Sequence, residues 1–199
     1  MSDKKLLLAA ALCAGLAAGP GTAHADAAQI ANSVCIGCHG YGGISYDPKY
    51  PSLAGQQASY VVKQLNEFVA GKRDNAEMMP FLKPINPAEF AALGAYFAAQ
   101  KPRVGAVKDA ALVAAGKTLY EQGNAATGVA ACVGCHQPGA VGNDKYPRLA
   151  GQHAGYVAKQ IHSFKDGTRK NDKAREMRGV AEKLSEAEIA AAAAYLSSL

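Results

Sequence analysis

Two pentapeptides carry the chemistry of this 199-residue chain: Cys35-Ile36-Gly37-Cys38-His39 and Cys132-Val133-Gly134-Cys135-His136. Two thiols three residues apart can add to the two vinyl groups on one porphyrin edge. The residue that follows then puts an imidazole under the iron. Cys-x-x-Cys-His is thus the attachment sequence of a c-type haem, and His39 and His136 are the proximal axial ligands this chemistry requires. One such pentapeptide alone is also compatible with a redox dithiol, half of a zinc site or a short disulfide loop. A zinc ribbon needs its Cys pairs about 15 to 20 residues apart, whereas most of a domain separates these. Four Cys in an exported chain could pair as two disulfides, but thioether attachment consumes all four: Cys35, Cys38, Cys132 and Cys135.

The sixth ligand follows from an internal repeat. Tyr50-Pro51-Ser52-Leu53-Ala54-Gly55-Gln56 is echoed by Tyr146-Pro147-Arg148-Leu149-Ala150-Gly151-Gln152 at a shift of 96, and Tyr60, Lys63, Gln64, Phe68, Gly71, Arg73 and Asn75 recur at the same shift. Asn86 and Glu89 match Ser185 and Glu188 at a shift of 99, so the second copy carries three extra residues after Asn171. Applied backward, that shift pairs Met78 with Met177 and sets Met79 against Arg178, which cannot ligate iron. The repeat therefore selects Met78 and Met177 as the thioethers opposite the two His, the axial set that raises the potential of a c-type haem. His153 and His162 fall opposite Gln57 and Asn66. They are read as polar surface or partly buried residues of the second half, not as ligands. Pro51 and Pro147 are candidates to offer a backbone carbonyl to the second ring nitrogen of each His; a plain turn proline is an equal reading.

The elements that must position these groups are helical. Tyr60, Val61, Gln64, Leu65, Phe68 and Val69 lie on one helical face ended by Gly71, and Tyr156, Val157, Gln160, Ile161 and Phe164 on another ended by Gly167. Asn86-Pro87-Ala88-Glu89 and the capping box Ser185-Glu186-Ala187-Glu188 each open a last helix. No strand-like alternation of useful length is present. The expected fold is all-α, two tandem domains over residues 26–100 and 109–199 joined by a linker at 101–108, where Lys101-Pro102-Arg103-Val104-Gly105 breaks the periodicity. Domains this small bury little apolar surface unaided, so a covalently held haem supplies core mass, and the haem-free chain is expected to fold poorly.

Residues 1–25 read as a secretory leader: Lys4 and Lys5, an apolar run from Leu6 to Ala18 containing Cys13, a Gly19-Pro20 break and an Ala23-His24-Ala25 cleavage motif. The run is shorter than the ~20 residues of a membrane span. Beyond it, residues 26–104 hold seven basic and six acidic side chains, and residues 105–199 hold twelve and nine. The basic residues are dispersed, so nucleic acid is not a partner, and membrane association is at most peripheral.

The assembled pattern resembles the cytochrome c4 family, soluble dihaem proteins built from two cytochrome c domains. The likeness rests on both Cys-x-x-Cys-His sites, the Tyr-Pro-x-Leu-Ala-Gly-Gln segments, Gly151-Gln152-His153-Ala154-Gly155-Tyr156, and the stretch from Met177 to Ser185. The weakest match is at residues 26–34, which are short and have Ala28 where Gly is usual. The resemblance implies two His/Met-ligated covalent haem c groups related by an approximate two-fold axis, propionate edges facing at the domain interface, in a periplasmic one-electron carrier. Respiratory redox proteins are the expected partners, with a terminal oxidase as acceptor and an electron-donating complex or dehydrogenase as donor. The alternatives are the electron-accepting subunit of a sulfide-oxidising flavocytochrome dehydrogenase and, against the paired Met residues, a dihaem peroxidase or thiosulfate-oxidising enzyme.

Overall fold

The computed structural model describes residues 27–199, so the leader read at 1–25 lies outside the described residues. The chain is helical from residue 27 to His39, with a π-helical turn at Ala31–Cys35 and an α-helical turn at Ile36–His39. Two longer helices complete the first half, α1 (Ala58–Val69) and α2 (Phe90–Ala98). The second half contains α3 (Ala110–Gln122), a motif turn at Val133–His136, α4 (Ala154–Lys165), a short helix Glu176–Ala181 and α5 (Glu186–Ser198). Among the described residues, extended pairing is limited to one bridge between Asn124 and Val129.

Local sequence sets these boundaries. The Asn86 side chain accepts from Ala88 N–H before Pro87–Glu89 and α2, and Asp109 accepts from Leu112 N–H to start α3. At Ser185 both arms of the expected capping box form with Glu188. Beyond α1 and α4, Gly71 (φ +66°) and Gly167 (φ +77°) take the left-handed conformation that stops a helix, with open space where a side chain would project. Glycine is needed there for its backbone freedom.

Each half has its own apolar core. In the first, Val61, Leu65 and Phe68 of α1 meet Phe90, Leu93 and Phe97 of α2, with Ala27 and Ala31 of the opening helix buried beside them. In the second, Leu119 and Tyr120 of α3 and Ile161 and Phe164 of α4 pack on Ile189, Tyr195 and Leu196 of α5. Burying each such large apolar side chain is worth about 1.5 to 3 kcal/mol. The α3–α5 crossing depends on Gly116, because a Cβ there would stand 2.0 Å from the Ala191 carbonyl oxygen.

The segment expected as a linker is pinned. Gly105 N–H donates to Leu199 O at 2.8 Å, Ala106 N–H to Ser197 O at 3.3 Å, and the Arg103 side chain to Gly151 O at 2.7 Å. The two backbone bonds satisfy carbonyls that the end of α5 leaves unpaired.

The halves meet through reciprocal hydrogen bonds. The Gln152 amide accepts from Ser52 N–H at 2.9 Å and donates to Ser52 O at 3.0 Å; the Gln56 amide accepts from Arg148 N–H at 2.8 Å and donates to Arg148 O at 2.9 Å. His153 Nε2 bonds the Ser45 carbonyl at 2.9 Å, while Gln57 donates to the Val141 carbonyl at 2.9 Å. Residues matched by the repeat thus swap roles across the boundary, the signature of an approximate two-fold axis. This corrects the reading of His153, which is a buried interface residue and not a polar ornament of its own half.

Candidate haem centres

Both motif histidines end a short helical turn and are buried. His39 Nδ1 lies 2.9 Å from Pro51 O, and His136 Nδ1 lies 3.1 Å from Pro147 O. A carbonyl can only accept, so Nδ1 carries the proton and Nε2 is left unprotonated toward the cavity side. The two open readings of the prolines are resolved in favour of the carbonyl role. Burial holds both imidazoles below the ordinary histidine pKa, and the proline carbonyls oppose this in part.

The four motif cysteines are unpaired. Burial pushes the Cys35 thiol up to about 11 and raises Cys132 in the same direction. A redox dithiol needs the opposite shift, toward thiolate at neutral pH.

Between the two motifs runs one cavity of about 720 Å³, lined by Cys35, Cys38, His39 and Met78 from the first half and Cys132, Cys135, His136 and Met177 from the second. The structure therefore brings together every group expected to hold a haem. Met79 packs into the first core and is not part of the cavity wall, whereas Met78 is. His162 is elsewhere, facing Glu186 at 3.4 Å on the outer surface of the second half.

The wall at the domain boundary is polar and positive. Arg73 donates to Gln64 at 2.6 Å and crosses to Tyr156 and Gln160 at 3.1 Å each; Arg169 donates to Gln160 at 2.7 Å and crosses to Tyr60 at 2.9 Å and Gln64 at 3.2 Å. Each guanidinium also lies over a phenylalanine, Arg73 on Phe68 and Arg169 on Phe164. Burial would raise the Tyr60 phenol, but the Arg169 and Arg73 charges beside it prevail and hold it below its usual value. Neither guanidinium takes part in an ion pair among the described residues.

Two buried donors on the same wall, Gln64 Nε2 and Arg148 Nε, also have no partner. Buried donors and unneutralised guanidiniums are costly unless an acceptor meets them. A haem, with an apolar macrocycle and two carboxylates, fits this wall: apolar near the motifs, donor-rich at the boundary. The sequence offered Tyr60 and Gln64 as repeat identities on a packing face, and Arg73 only as a repeat identity beyond its end. The available signal was that polar residues had been kept in both copies on a helix face expected to be apolar.

A sequence model described as "Cytochrome c" matches residues 113–199, and one described as "Cytochrome C oxidase, cbb3-type, subunit III" matches residues 22–97. Cytochrome c4 of Azotobacter vinelandii is 45% identical over 197 residues, covering 93% of this chain and 92% of that protein. The chain belongs to the cytochrome c4 family. The crystal structure of reduced recombinant cytochrome c4 from Pseudomonas stutzeri superposes with a TM-score of 0.83 at 42% identity, over 88% of this chain and 98% of that one. A protein named thiosulfate dehydrogenase electron acceptor, from Thiomonas intermedia (strain K12), is 36% identical over 98% of this chain and 90% of its own length.

Membership of the cytochrome c4 family makes this an electron-transfer protein with two cytochrome c domains and two covalent haem c groups, one at Cys35 and Cys38 and one at Cys132 and Cys135. The haem supplies a reversible one-electron couple at its iron. Among the described residues, no helix is long and apolar enough to cross a membrane.

Proposed function

We propose that residues 26–100 and 109–199 each hold one haem between a histidine and a methionine, His39 with Met78 and His136 with Met177, and that the protein carries single electrons in the periplasm to a terminal oxidase. The observation that supports this reading is that both carbonyl-oriented imidazoles and both methionines line one shared cavity. With two protein ligands at each iron there is no open position for a substrate. The chain's own residues then set potential and shield the centres. His39 and His136 are oriented by Pro51 and Pro147, the apolar faces of α1 and α4 exclude water, and Arg73, Arg169, Gln64 and Arg148 stand ready to receive acidic haem edges at the boundary. Both centres share one cavity, so an electron can enter at one half and leave at the other without crossing solvent.

The test is reoxidation. The reduced holoprotein should be reoxidised by membranes containing a terminal oxidase, with inhibition of the oxidase abolishing the rate. If membranes leave it reduced while a purified thiosulfate dehydrogenase reduces it rapidly, the chain serves instead as an electron acceptor of a dehydrogenase, the role named for the Thiomonas relative. Contacts with either partner would be small and transient.

A further inference from the structure

The two halves hold their methionine loops differently, and the difference crosses the domain boundary. In the first half the anchor is local: Asn75 Oδ1 accepts the N–H of Glu77 at 2.9 Å and of Met78 at 3.1 Å. Its repeat partner Asn171 is buried and turned the other way. Asn171 Nδ2 donates to Glu67 Oε2 at 2.6 Å and to Gln64 Oε1 at 3.0 Å, both on α1 of the first half, and its carbonyl accepts from Lys63 Nζ at 2.8 Å. Lys63 also pairs with Glu67 at 2.7 Å, which fixes the carboxylate. No mirror image of this contact can form, because the repeat places Ser163 where the first half has Glu67, and Ser163 bonds within its own helix.

The residue after Asn171 takes over the local task. Asp172 accepts from Arg178 N–H at 3.0 Å and Arg178 Nε at 2.7 Å, so the loop between them is closed around Met177. That loop contains the three additional residues and includes two consecutive left-handed residues that are not glycine, Ala174 (φ 49°) and Arg175 (φ 61°). Each is strained for a residue with a side chain and persists only where the flanks are held. The N-terminal flank is held by the Asn171 bonds to α1 and by Asp172, and the C-terminal flank by Arg178, which Asp172 bonds.

We propose that the Glu67–Asn171 contact is a one-way tether through which the first half positions the Met177 loop. Glu67 and Asn171 are then positioning residues for the second haem centre, and the Met78 centre has no counterpart. This deepens the functional reading above and rests on Met177 being a ligand. Its consequence is that the bond between Met177 and iron depends on the docking of the halves through a contact at its own loop, whereas the Met78 loop is anchored locally by Asn75. A partner that shifts the halves would act through this contact on the second centre and has no such contact to act through at the first.

The experiment uses the holoprotein. In the ferrous state a methionine methyl held over a haem gives a strongly ring-current-shifted proton signal, and Met78→Ala and Met177→Ala assign the two. In the ferric state, imidazole displaces methionine, and loss of the far-red methionine band reports its affinity. Asn171→Ala and Glu67→Ala should strengthen imidazole binding at the Met177 centre by about tenfold, as expected for loss of one charge-assisted hydrogen bond. The Met177 methyl signal should shift while the Met78 signal stays. Glu67→Gln, which keeps an acceptor for Asn171, should return most of the wild-type behaviour, and Asn75→Ala should affect the Met78 centre only. Equal changes at both centres in Asn171→Ala, or none at either, overturn the tether. A wild-type protein lacking two such methyl signals overturns the ligand assignment itself and the tether with it.

Discussion

Replacing Gln152 with alanine removes both arms of one interdomain clamp, at Ser52 N–H (2.9 Å) and Ser52 O (3.0 Å). Ser52 and Gln152 are both buried, 8% and 9% exposed, so water reaches the orphaned backbone groups poorly. A buried group left without its partner costs about 1 to 3 kcal/mol. Two such groups, one of them near the cavity and open to partial hydration, give a loss of about 2 to 4 kcal/mol. For a chain of this size each kcal/mol lowers Tm by about 2 to 4 °C, which puts the drop at roughly 5 to 15 °C. The assay is thermal denaturation of the holoprotein followed by far-ultraviolet circular dichroism, beside Gln122→Ala, which truncates an exposed glutamine at the end of α3. The symmetric variant Gln56→Ala should lose a similar amount through Arg148. The double variant should replace one transition by two, as the halves melt separately. A Gln152→Ala protein that melts within about 2 °C of Gln122→Ala, in one transition, would refute the claim that these reciprocal bonds hold the halves together.

Four further outcomes are expected. Met78→Ala and Met177→Ala should each remove about half of the far-red methionine band of the ferric protein, and Met79→Ala should retain it; the visible spectrum decides. Gly116→Ala should destabilise the second half by about 1 to 3 kcal/mol through overpacking, because the new Cβ meets the Ala191 carbonyl and Tyr195 Cβ within 2.7 Å; chemical denaturation measures it. Asp172 is held below the usual carboxylate range, since the Arg178 backbone and side-chain donors outweigh the upward push of burial. A depressed folded pKa stabilises fully above the unfolded value near 3.9 and is lost as pH falls through the folded value. Stability measured from pH 6 to pH 3 should therefore decline, and Asp172→Asn should flatten that decline. Finally, the cavity of about 720 Å³ leaves the apolar walls of both halves without packing partners until a haem fills it. Protein produced without haem attachment should show no cooperative melt.

Much of this architecture was legible from residue order because it depends on local chemistry. The Asn86 cap and the Ser185–Glu188 box formed where the sequence placed them, and α1 and α4 bury the faces that their periodicity marked except for Val69, which stands exposed at the last position of α1. The choice of Met78 over Met79 came from counting the offset of one repeat against the other, and the cavity wall includes Met78. The interface was not legible in the same way. Gln56 and Gln152 stood only as repeat identities and His153 as a polar surface or partly buried residue of its own half, because their partners are backbone groups some 90 to 110 positions away, and a backbone carbonyl leaves no trace in a sequence. The proline carbonyls had two equal readings until the Nδ1 contacts chose between them.

By itself the sequence determined the cofactor type and its number, because thioether attachment needs two thiols and an imidazole at fixed spacing and that spacing occurs twice. It also determined the helical class and the duplication, since helix periodicity and offset are properties of order along the chain. Tertiary structure alone decided that duplicated residues do not keep duplicated roles. Asn75 caps its own methionine loop while Asn171 reaches into the other half, since one copy has Glu67 facing the boundary and the other has Ser163. A repeat fixes which residues correspond; only the docked interface, where each side chain meets groups from the other copy, fixes what they touch.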